Sequence, residues 1–173
     1  ARLSGEQLIC AESNRGFRVC NVTVEDALDV GRVRLHLELE CLRDAVANGG
    51  EEWEGRVVAA YHRLSKAEVL PKSNPDRLSR LEERNAAFHD ALVSSCTSPL
   101  LLNFRAQVFS QHERYRNISR SLPSNGRNTK AEHEAIFEAA LKYDAKKLVE
   151  ASLEHIEGTT QRVVRYLETV QVD

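Results

Sequence analysis

Apolar residues recur every three or four positions through most of this chain, and this spacing predicts helices. The segment from Ala27 to Ala47 is a plain example, with apolar residues at Val30, Val33, Leu37, Cys41 and Val46. Residues spaced in this way lie on one face of a helix, which can pack against a core. The segment ends at Gly49-Gly50, and glycine is a common helix stop.

Local start signals divide the remaining sequence into further helices. Thr23 is followed three residues later by Asp26, as in a capping box, and Asp76 and Asp144 are also suited to cap a helix. Ser98-Pro99 combines a capping residue with proline at the first helical position. The predicted helices cover residues 23–47, 51–68, 76–95, 98–121, 129–143 and 144–170. About six helices with short connections predict an all-α antiparallel bundle.

Residues 1–22 have a different pattern. Two short β-prone runs, Leu8–Ala11 and Phe17–Val22, are separated by Ser13-Asn-Arg-Gly16. Gly16 can adopt the positive φ that a tight hairpin turn requires. We therefore predict a short β-hairpin ahead of the helical bundle.

Composition excludes several classes of protein. Apolar residues make up 42% of the chain and charged residues 29%, which is typical of a globular domain rather than a disordered segment. The net charge of -2 gives no general attraction to nucleic acid or membrane, and no apolar run is long enough to span a bilayer. The cysteines lack a C-x-x-C spacing, which favours a reducing, cytoplasmic setting. Because the chain begins with Ala and contains no Met, we expect a fragment or a sequence from which modified methionines were omitted.

Four residues are candidate metal ligands. Asn85 and His89 are four positions apart, so they lie on the same face of a helix, while His133 and His155 occupy two further predicted helices. Three imidazoles and an oxygen can hold a divalent cation and leave positions open for another ligand. The spacing alone does not decide the matter, since a single histidine on a helix is more often packed or solvated. No motif of a hydrolase, nucleotide-binding enzyme or metalloprotease is present, so we do not expect an enzyme.

The order of several short motifs resembles a known family. These motifs are Val33-Arg34-Leu-His-Leu-Glu38, Asn85-Ala-Ala-Phe-His89, Ser98-Pro-Leu-Leu-Leu102, Glu132-His133-Glu-Ala-Ile136, and Asp144 with His155 eleven residues further on. They resemble the FCD effector-binding domain of the FadR-type branch of the GntR family of bacterial transcription regulators. Residues 1–22 are similar to the end of the recognition helix and the β-wing of that family's winged helix-turn-helix. The resemblance implies a remnant of the DNA-binding domain at 1–22 and an effector-binding and dimerisation domain at 23–173.

The resemblance also implies a set of ligands. The family's metal site falls on Asn85, His89, His133 and His155, where the family usually has Asp at the first position. Asn brings no charge, so it should weaken affinity for the bare metal and strengthen attraction of an anionic effector. Zinc suits an imidazole-rich site best, although nickel, manganese and iron also fit. Arg34 is the candidate that binds the effector carboxylate; its alternative is a salt bridge with Glu38.

The function implied is that of a ligand-responsive regulator, with repression as the family's commoner mode. A homodimer would bind operator DNA through the intact N-terminal domain, and Asn14, Arg15 and Arg18 are candidate DNA contacts in the wing. Arg15 could equally be a solvated turn residue. A small carboxylate would be the effector, and the segments 49–54 and 95–102 are similar to regulators that respond to dicarboxylates. A metal-dependent helical-bundle enzyme and a metal-free helical interaction module remain as alternatives.

Overall fold

A computed structural model of the protein describes residues 9–12, 16–19, 22–123 and 126–170. Within these ranges the fold is all-α apart from one two-stranded hairpin. Seven helices and two strands occur there in the order β1 (Ile9–Glu12), β2 (Gly16–Val19), α1 (Val24–Asn48), α2 (Glu51–Glu68), α3 (Arg77–Leu92), α4 (Pro99–Gln111), α5 (Glu113–Ser121), α6 (Thr129–Leu141) and α7 (Ala145–Val170). None of these helices is both long enough and apolar enough to span a membrane.

The two strands pair in antiparallel fashion over eight backbone positions. Ile9 lies opposite Val19, and Glu12 lies opposite Gly16. The pairing concerns the backbone alone, and the assignment of this segment to a DNA-binding wing stays a prediction. Asn14 and Arg15, two of the predicted DNA contacts, lie outside the described residues.

The prediction of one continuous helix over residues 98–121 is wrong. The segment 98–121 forms two helices, α4 and α5, which meet at His112. The sequence has no glycine or proline there, so its pattern indicated one continuous helix. The side chain of His112 is fully buried, and its Nδ1 lies 2.7 Å from Nη1 of Arg34 on α1. The break therefore accompanies a tertiary contact rather than a local stop signal.

Helix starts follow the predicted capping residues in most cases. The amide of Asp26 donates to Thr23 Oγ1 at 3.1 Å, and the amide of Lys147 donates to Asp144 Oδ1 at 3.0 Å. Ser98 caps α4 in the same way, ahead of Pro99. Asp76 occupies the N-cap position of α3 but makes no side-chain capping bond. The chain thus starts its helices where side-chain chemistry supplies acceptors for the first amides.

The bundle is built from a few close helix pairs. α1 packs against α7 and α4, α2 packs against α3 and α6, and α6 packs against α7. Gly31 makes the approach of α1 to α7 possible, because a Cβ there would lie 2.5 Å from Thr160 Oγ1. The main apolar core includes Trp53, Leu64 and Phe88, all with 1% exposure or less. These contacts place α3, α6 and α7 around a common interior.

Candidate metal centre

The four predicted ligands come from three helices and lie together in the interior. Asn85 and His89 are on α3, His133 is on α6 and His155 is on α7. All four side chains are buried, with exposures between 1% and 4%. Candidate ligand atoms of the three histidines lie within 4.8 Å of one another. Three imidazoles at this separation can share one cation.

Each imidazole has a carboxylate beside its Nδ1 atom. His133 Nδ1 lies 2.6 Å from Glu68 Oε1, and His155 Nδ1 lies 2.7 Å from Glu132 Oε2.

The third imidazole follows the same arrangement at a longer distance. His89 Nδ1 lies 3.6 Å from Glu38 Oε1. A carboxylate at Nδ1 holds the proton there and leaves Nε2 with a free lone pair, which is the usual orientation of a metal-binding histidine. The Nε2 atoms of His89 and His133 are buried and have no hydrogen-bond partner. The donor set therefore fits a divalent cation.

Two of these carboxylates are themselves fixed by arginines. Arg127 donates to both oxygens of Glu132 at 2.7 Å, and Arg105 donates to both oxygens of Glu38 at 3.0 Å. Bidentate pairs of this kind restrict the orientation of the carboxylate. The imidazoles of His155 and His89 are consequently positioned through a second layer of charged side chains.

Burial keeps two of the imidazoles, those of His89 and His155, neutral. It lowers the pKa of His89 to about 3, although the nearby carboxylate of Glu38 acts in the opposite direction. Burial likewise lowers the pKa of His155 well below its usual range. Neutral imidazole is the form that binds a metal, so the interior favours the ligand state.

Asn85 lies on the same cavity as His133 and His155. Its amide nitrogen is buried and has no hydrogen-bond partner. Rotation of the amide by half a turn exchanges its nitrogen and oxygen, so either a donor or an acceptor can be presented at this place. An acceptor oxygen there could serve as a fourth metal ligand beside the three imidazoles.

Arg34 is buried and does not form the salt bridge with Glu38 that was its alternative. Glu38 is paired with Arg105 instead, and Arg34 Nη1 contacts the neutral ring of His112. The guanidinium stacks over the ring of Phe109 at 4.7 Å, and its Nε and Nη2 atoms have no hydrogen-bond partner. Burial lowers the pKa of Arg34 to about 9. Arg34 is therefore a buried cation with two donors that have no hydrogen-bond partner; among the described residues no carboxylate forms a salt bridge with it, although the charge of Glu38 nearby partly stabilises it.

A cavity of about 170 Å³ adjoins the metal centre. His133 and His155 form part of its wall, together with Asn85 and Glu68. Most of its other charged lining residues are cationic: Arg77, Arg116, Arg120, Arg127 and Lys130. A cavity of this size and charge can hold a small anion next to a metal ion.

The carboxylate layer was not predicted from the sequence. Glu132 precedes His133 in the chain, yet it serves His155 on another helix. Glu68 is the last residue of α2 and has no sequence relation to His133, which it contacts. Neighbours in sequence point to different faces of a helix, so such pairs appear only once the helices are packed.

Comparison with known proteins gives the family to which this chain belongs. Residues 29–158 match the family model of the FCD domain. The chain is 36% identical, over 165 residues, to the uncharacterised HTH-type transcriptional regulator BphR of Paraburkholderia xenovorans strain LB400, covering 95% of this chain and 67% of that protein. It is 36% identical, over 118 residues, to the HTH-type transcriptional repressor GlaR of Escherichia coli K12, covering 68% of this chain and 53% of that protein.

A solved structure has the same fold. It is a GntR-family transcriptional regulator from Pseudomonas syringae pv. tomato DC3000, with a TM-score of 0.69 and 21% identity over 99% of this chain and 69% of that one. The chain therefore belongs to the FCD domain family and to the GntR/FadR-type group of regulators. It spans about two thirds of one curated relative and about half of the other.

Proposed function

We propose that this domain is a sensor in which a divalent metal and a small organic acid bind together. The observation that carries the proposal is the set of buried nitrogens without partners, on His89, His133 and Arg34. Buried polar groups normally have hydrogen-bond partners, and leaving one unpaired costs about 1–3 kcal/mol. A metal ion at the imidazoles and an acid between the metal and Arg34 would satisfy these atoms.

Zinc is the metal we expect first, with nickel, manganese and iron as the other possibilities, because imidazole ligands suit all of them. Three neutral histidines and the amide of Asn85 bring no negative charge to the cation. Although Glu68 and Glu132 lie beside two of the imidazoles, more of the ion's charge is then available to attract an anion than in a site where Asp is a direct ligand. This chain should hold the bare metal more loosely than a site with Asp, and it should depend more strongly on the acid.

Arg34 is the proposed partner of the acid on α1. The one carboxylate close to it in sequence, Glu38, already binds Arg105 through both oxygens. A buried cation without a salt bridge of its own is unfavourable, so an incoming carboxylate should gain a charge-assisted hydrogen bond at this site.

Such an acid would connect two parts of the bundle. The metal ligands are on α3, α6 and α7, whereas Arg34 is on α1, the helix that follows residues 1–22. Binding would fix the position of α1, and with it the attached DNA-binding segment of the whole protein. We propose that the intact regulator is a homodimer that represses at an operator, and that the acid changes its affinity for DNA.

Metal analysis tests this proposal directly. Protein purified without a histidine tag should contain close to one equivalent of metal, and His133→Ala should contain almost none. In a thermal-shift measurement, stabilisation by carboxylic acids should disappear when a chelator is added. Negligible metal in both proteins would instead favour the metal-free interaction module.

The enzyme alternative has one observation in its favour. Glu68 lies on the cavity, and its Oε2 atom is buried and has no hydrogen-bond partner. A carboxylate there could act as a base toward a metal-bound water. Consumption of an added carboxylic acid or ester by the metal-loaded protein, absent in Glu68→Gln, would support an enzyme; a stable complex supports the sensor.

A further inference from the structure

Three buried or half-buried arginines of this bundle bind a carboxylate in the same way. Arg105, Arg116 and Arg127 each direct Nε and Nη2, the two nitrogens on one edge of the guanidinium, toward a single glutamate. Each of these nitrogens lies 2.6–3.1 Å from its nearest glutamate oxygen. This edge matches the two oxygens of a carboxylate, so it holds an acid group in one orientation.

In two of these arginines the third nitrogen, Nη1, donates to a neutral acceptor. Arg116 Nη1 donates to the carbonyl of Phe109 at 3.0 Å, and Arg127 Nη1 donates to Thr159 Oγ1 at 3.0 Å. In a planar guanidinium, Nη1 lies at the end opposite the edge formed by Nε and Nη2. The neutral acceptor therefore fixes the rotation of the group without competing for the carboxylate.

Arg34 has the first half of this arrangement and lacks the second. Its Nη1 lies 2.7 Å from Nδ1 of His112, whereas its Nε and Nη2 are buried and have no hydrogen-bond partner among the described residues. The guanidinium carbon lies 4.7 Å from the centre of the Phe109 ring. The stacking sets the plane of the guanidinium, and the contact with His112 sets its rotation within that plane. The edge that binds a carboxylate in the other three arginines is therefore held in a fixed orientation.

The contact with Arg34 determines which ring nitrogen of His112 carries the hydrogen. A guanidinium nitrogen can only donate, so Nδ1 of His112 is the acceptor and Nε2 carries the hydrogen. Burial, together with the charges of Arg34 and Arg116, holds the pKa of His112 well below its usual range, so the ring stays neutral. The three metal-centre histidines have the opposite arrangement, since each has a carboxylate beside Nδ1. His112 thus has a different role from theirs.

We propose that His112 is a positioning residue for acid binding: its Nδ1 orients Arg34, and Arg34 then receives the carboxylate through Nε and Nη2. This inference rests on the proposed function, in which Arg34 is the partner of the acid. His112 itself does not contact the acid, because it lies at the Nη1 end of the guanidinium.

Loss of the acceptor at Nη1 should weaken acid binding in two ways. The guanidinium could then turn and present one nitrogen to the acid in place of two, so that one charge-assisted hydrogen bond would be lost. Ordering the side chain again on binding would also cost conformational entropy. Because hydrogen bonds to charged groups are stronger than those between neutral groups, the affinity for acid should fall at least about tenfold.

Two amide substitutions separate the roles of the two ring nitrogens. His112→Asn places an amide oxygen near the position of Nδ1, whereas the longer side chain of His112→Gln places its amide near Nε2. Acid binding is measured by calorimetry on the zinc-loaded protein, with acetate, succinate and glutarate as probes. For the tightest of the three, His112→Gln should bind at least about tenfold more weakly than the unmodified protein, and His112→Asn should remain within about threefold of it.

Zinc binding separates loss of positioning from loss of structure. Both variants should keep the zinc affinity of the unmodified protein within about threefold, because His112 is not a metal ligand. His36→Gln is the matched control, since His36 is an exposed histidine of α1, two residues from Arg34. Its Nδ1 donates to the carbonyl of Arg32 at 2.8 Å, and its replacement should leave acid binding unchanged.

Nitrogen-15 NMR of the histidine-labelled protein tests the tautomer without any acid. The ring of His112, assigned by its absence from the spectrum of either variant, should carry hydrogen on Nε2 only. A hydrogen on Nδ1 would overturn the role of that atom as an acceptor for Arg34.

Equal acid binding by His112→Gln and the unmodified protein would overturn the positioning role. So would an equal loss in His112→Gln and His112→Asn, because a purely structural role does not distinguish the two amides. In either case, zinc-dependent binding of acid that is lost in Arg34→Met leaves the proposed function intact. If no probe binds the unmodified protein in a zinc-dependent manner, the proposed function fails together with this inference.

Discussion

The interior of this bundle has two regions that differ in how their polar atoms are satisfied. The apolar core around Trp53 and Leu64 buries few polar atoms, and the one indole nitrogen of Trp53 donates to the carbonyl of Leu92 at 3.1 Å. The region around the candidate metal centre and Arg34 buries histidines, arginines and carboxylates instead. In the first region the buried indole nitrogen has a hydrogen-bond partner, whereas in the second several buried donors and acceptors have none.

The unpaired atoms are concentrated in the second region. Among the described residues, nine buried side-chain nitrogen and oxygen atoms have no hydrogen-bond partner. Seven of them belong to the metal-centre residues, their carboxylate Glu68, and the pair Arg34 and His112. The two exceptions are on Arg114 and Ser152. Because folded proteins normally satisfy their buried polar groups, this distribution separates the apolar core from the part where we propose that ligands bind.

The largest effect should come from the apolar core and should not depend on metal. Trp53→Ala removes a side chain with 1% exposure, so we expect a loss of about 3–5 kcal/mol in the free energy of unfolding. Denaturant unfolding with and without chelator measures it. If chelator changed this loss by more than about 1 kcal/mol, the two regions would be coupled and the contrast would fail.

Replacement by methionine should affect the free energy of unfolding very differently at two buried arginines. Arg105→Met leaves the buried carboxylate of Glu38 unpaired and should cost about 3–5 kcal/mol of stability. Arg34→Met removes a buried cation that has no salt bridge, and relief of its desolvation offsets the loss of its hydrogen bond to His112. Without acid, the free energy of unfolding should therefore change by less than about 1 kcal/mol. Its binding of acid should be lost. Equal destabilisation of the two variants in denaturant unfolding would contradict the assignment of Arg34 as a ligand-binding cation.

His133→Ala should remove the stabilisation that metal gives. At a free zinc concentration about a hundred times the dissociation constant, binding contributes about 2.7 kcal/mol to the unmodified protein. The variant should therefore unfold at the same temperature with and without zinc. His62→Ala, which alters an exposed histidine away from the site, serves as the control and should retain the zinc-dependent shift.

Loss of a carboxylate that contacts a metal-binding histidine should weaken metal binding without abolishing it. Glu132→Gln keeps the size of the side chain but removes the charge that orients His155 at 2.7 Å. Metal affinity should fall by about 10–100-fold, as measured by competition with a chromogenic chelator. An unchanged affinity would mean that His155 is oriented by packing alone.

The smallest effect expected is a change in opposite directions of the affinities for metal and for acid when Asn85 is replaced. Asn85→Asp adds a negative charge beside the metal, so the bare metal should bind more tightly and the acid more weakly. Titration of zinc, followed by titration of the best acid, measures both quantities. If both affinities rise or both fall, charge at Asn85 does not control the balance between them.

The helices could be predicted from the sequence because their signals are local. Thr23, Ser98 and Asp144 lie where capping requires them, and the spacing of apolar residues identifies each face. The break at His112 could not be predicted, since it accompanies a contact with Arg34, 78 positions away in the chain.

The candidate site divides in the same way. His89, His133 and His155 were candidate ligands from their positions on predicted helices, and the resemblance to a family supported them. The structure brings their ligand atoms together. Their carboxylate partners depend on which helix faces meet, which sequence spacing does not contain. Outside the site, the backbone of Tyr143 could not be predicted either. Its φ of 51° is unusual for a residue with a side chain, and its ring packs against that of Trp53, with 5.4 Å between the ring centroids.

The tight contact at Gly31 has a consequence for how α1 can move. Gly31 and Arg34 are three residues apart on the same face of α1, and Thr160 closes on the glycine so nearly that a Cβ would lie 2.5 Å from its hydroxyl. At this point the two long helices cannot come nearer to each other. A ligand that drew Arg34 inward would therefore tilt α1 about its contact at Gly31. Because Val24, at the start of α1, is farther from Gly31 than Arg34 is, its displacement would be larger than that of Arg34.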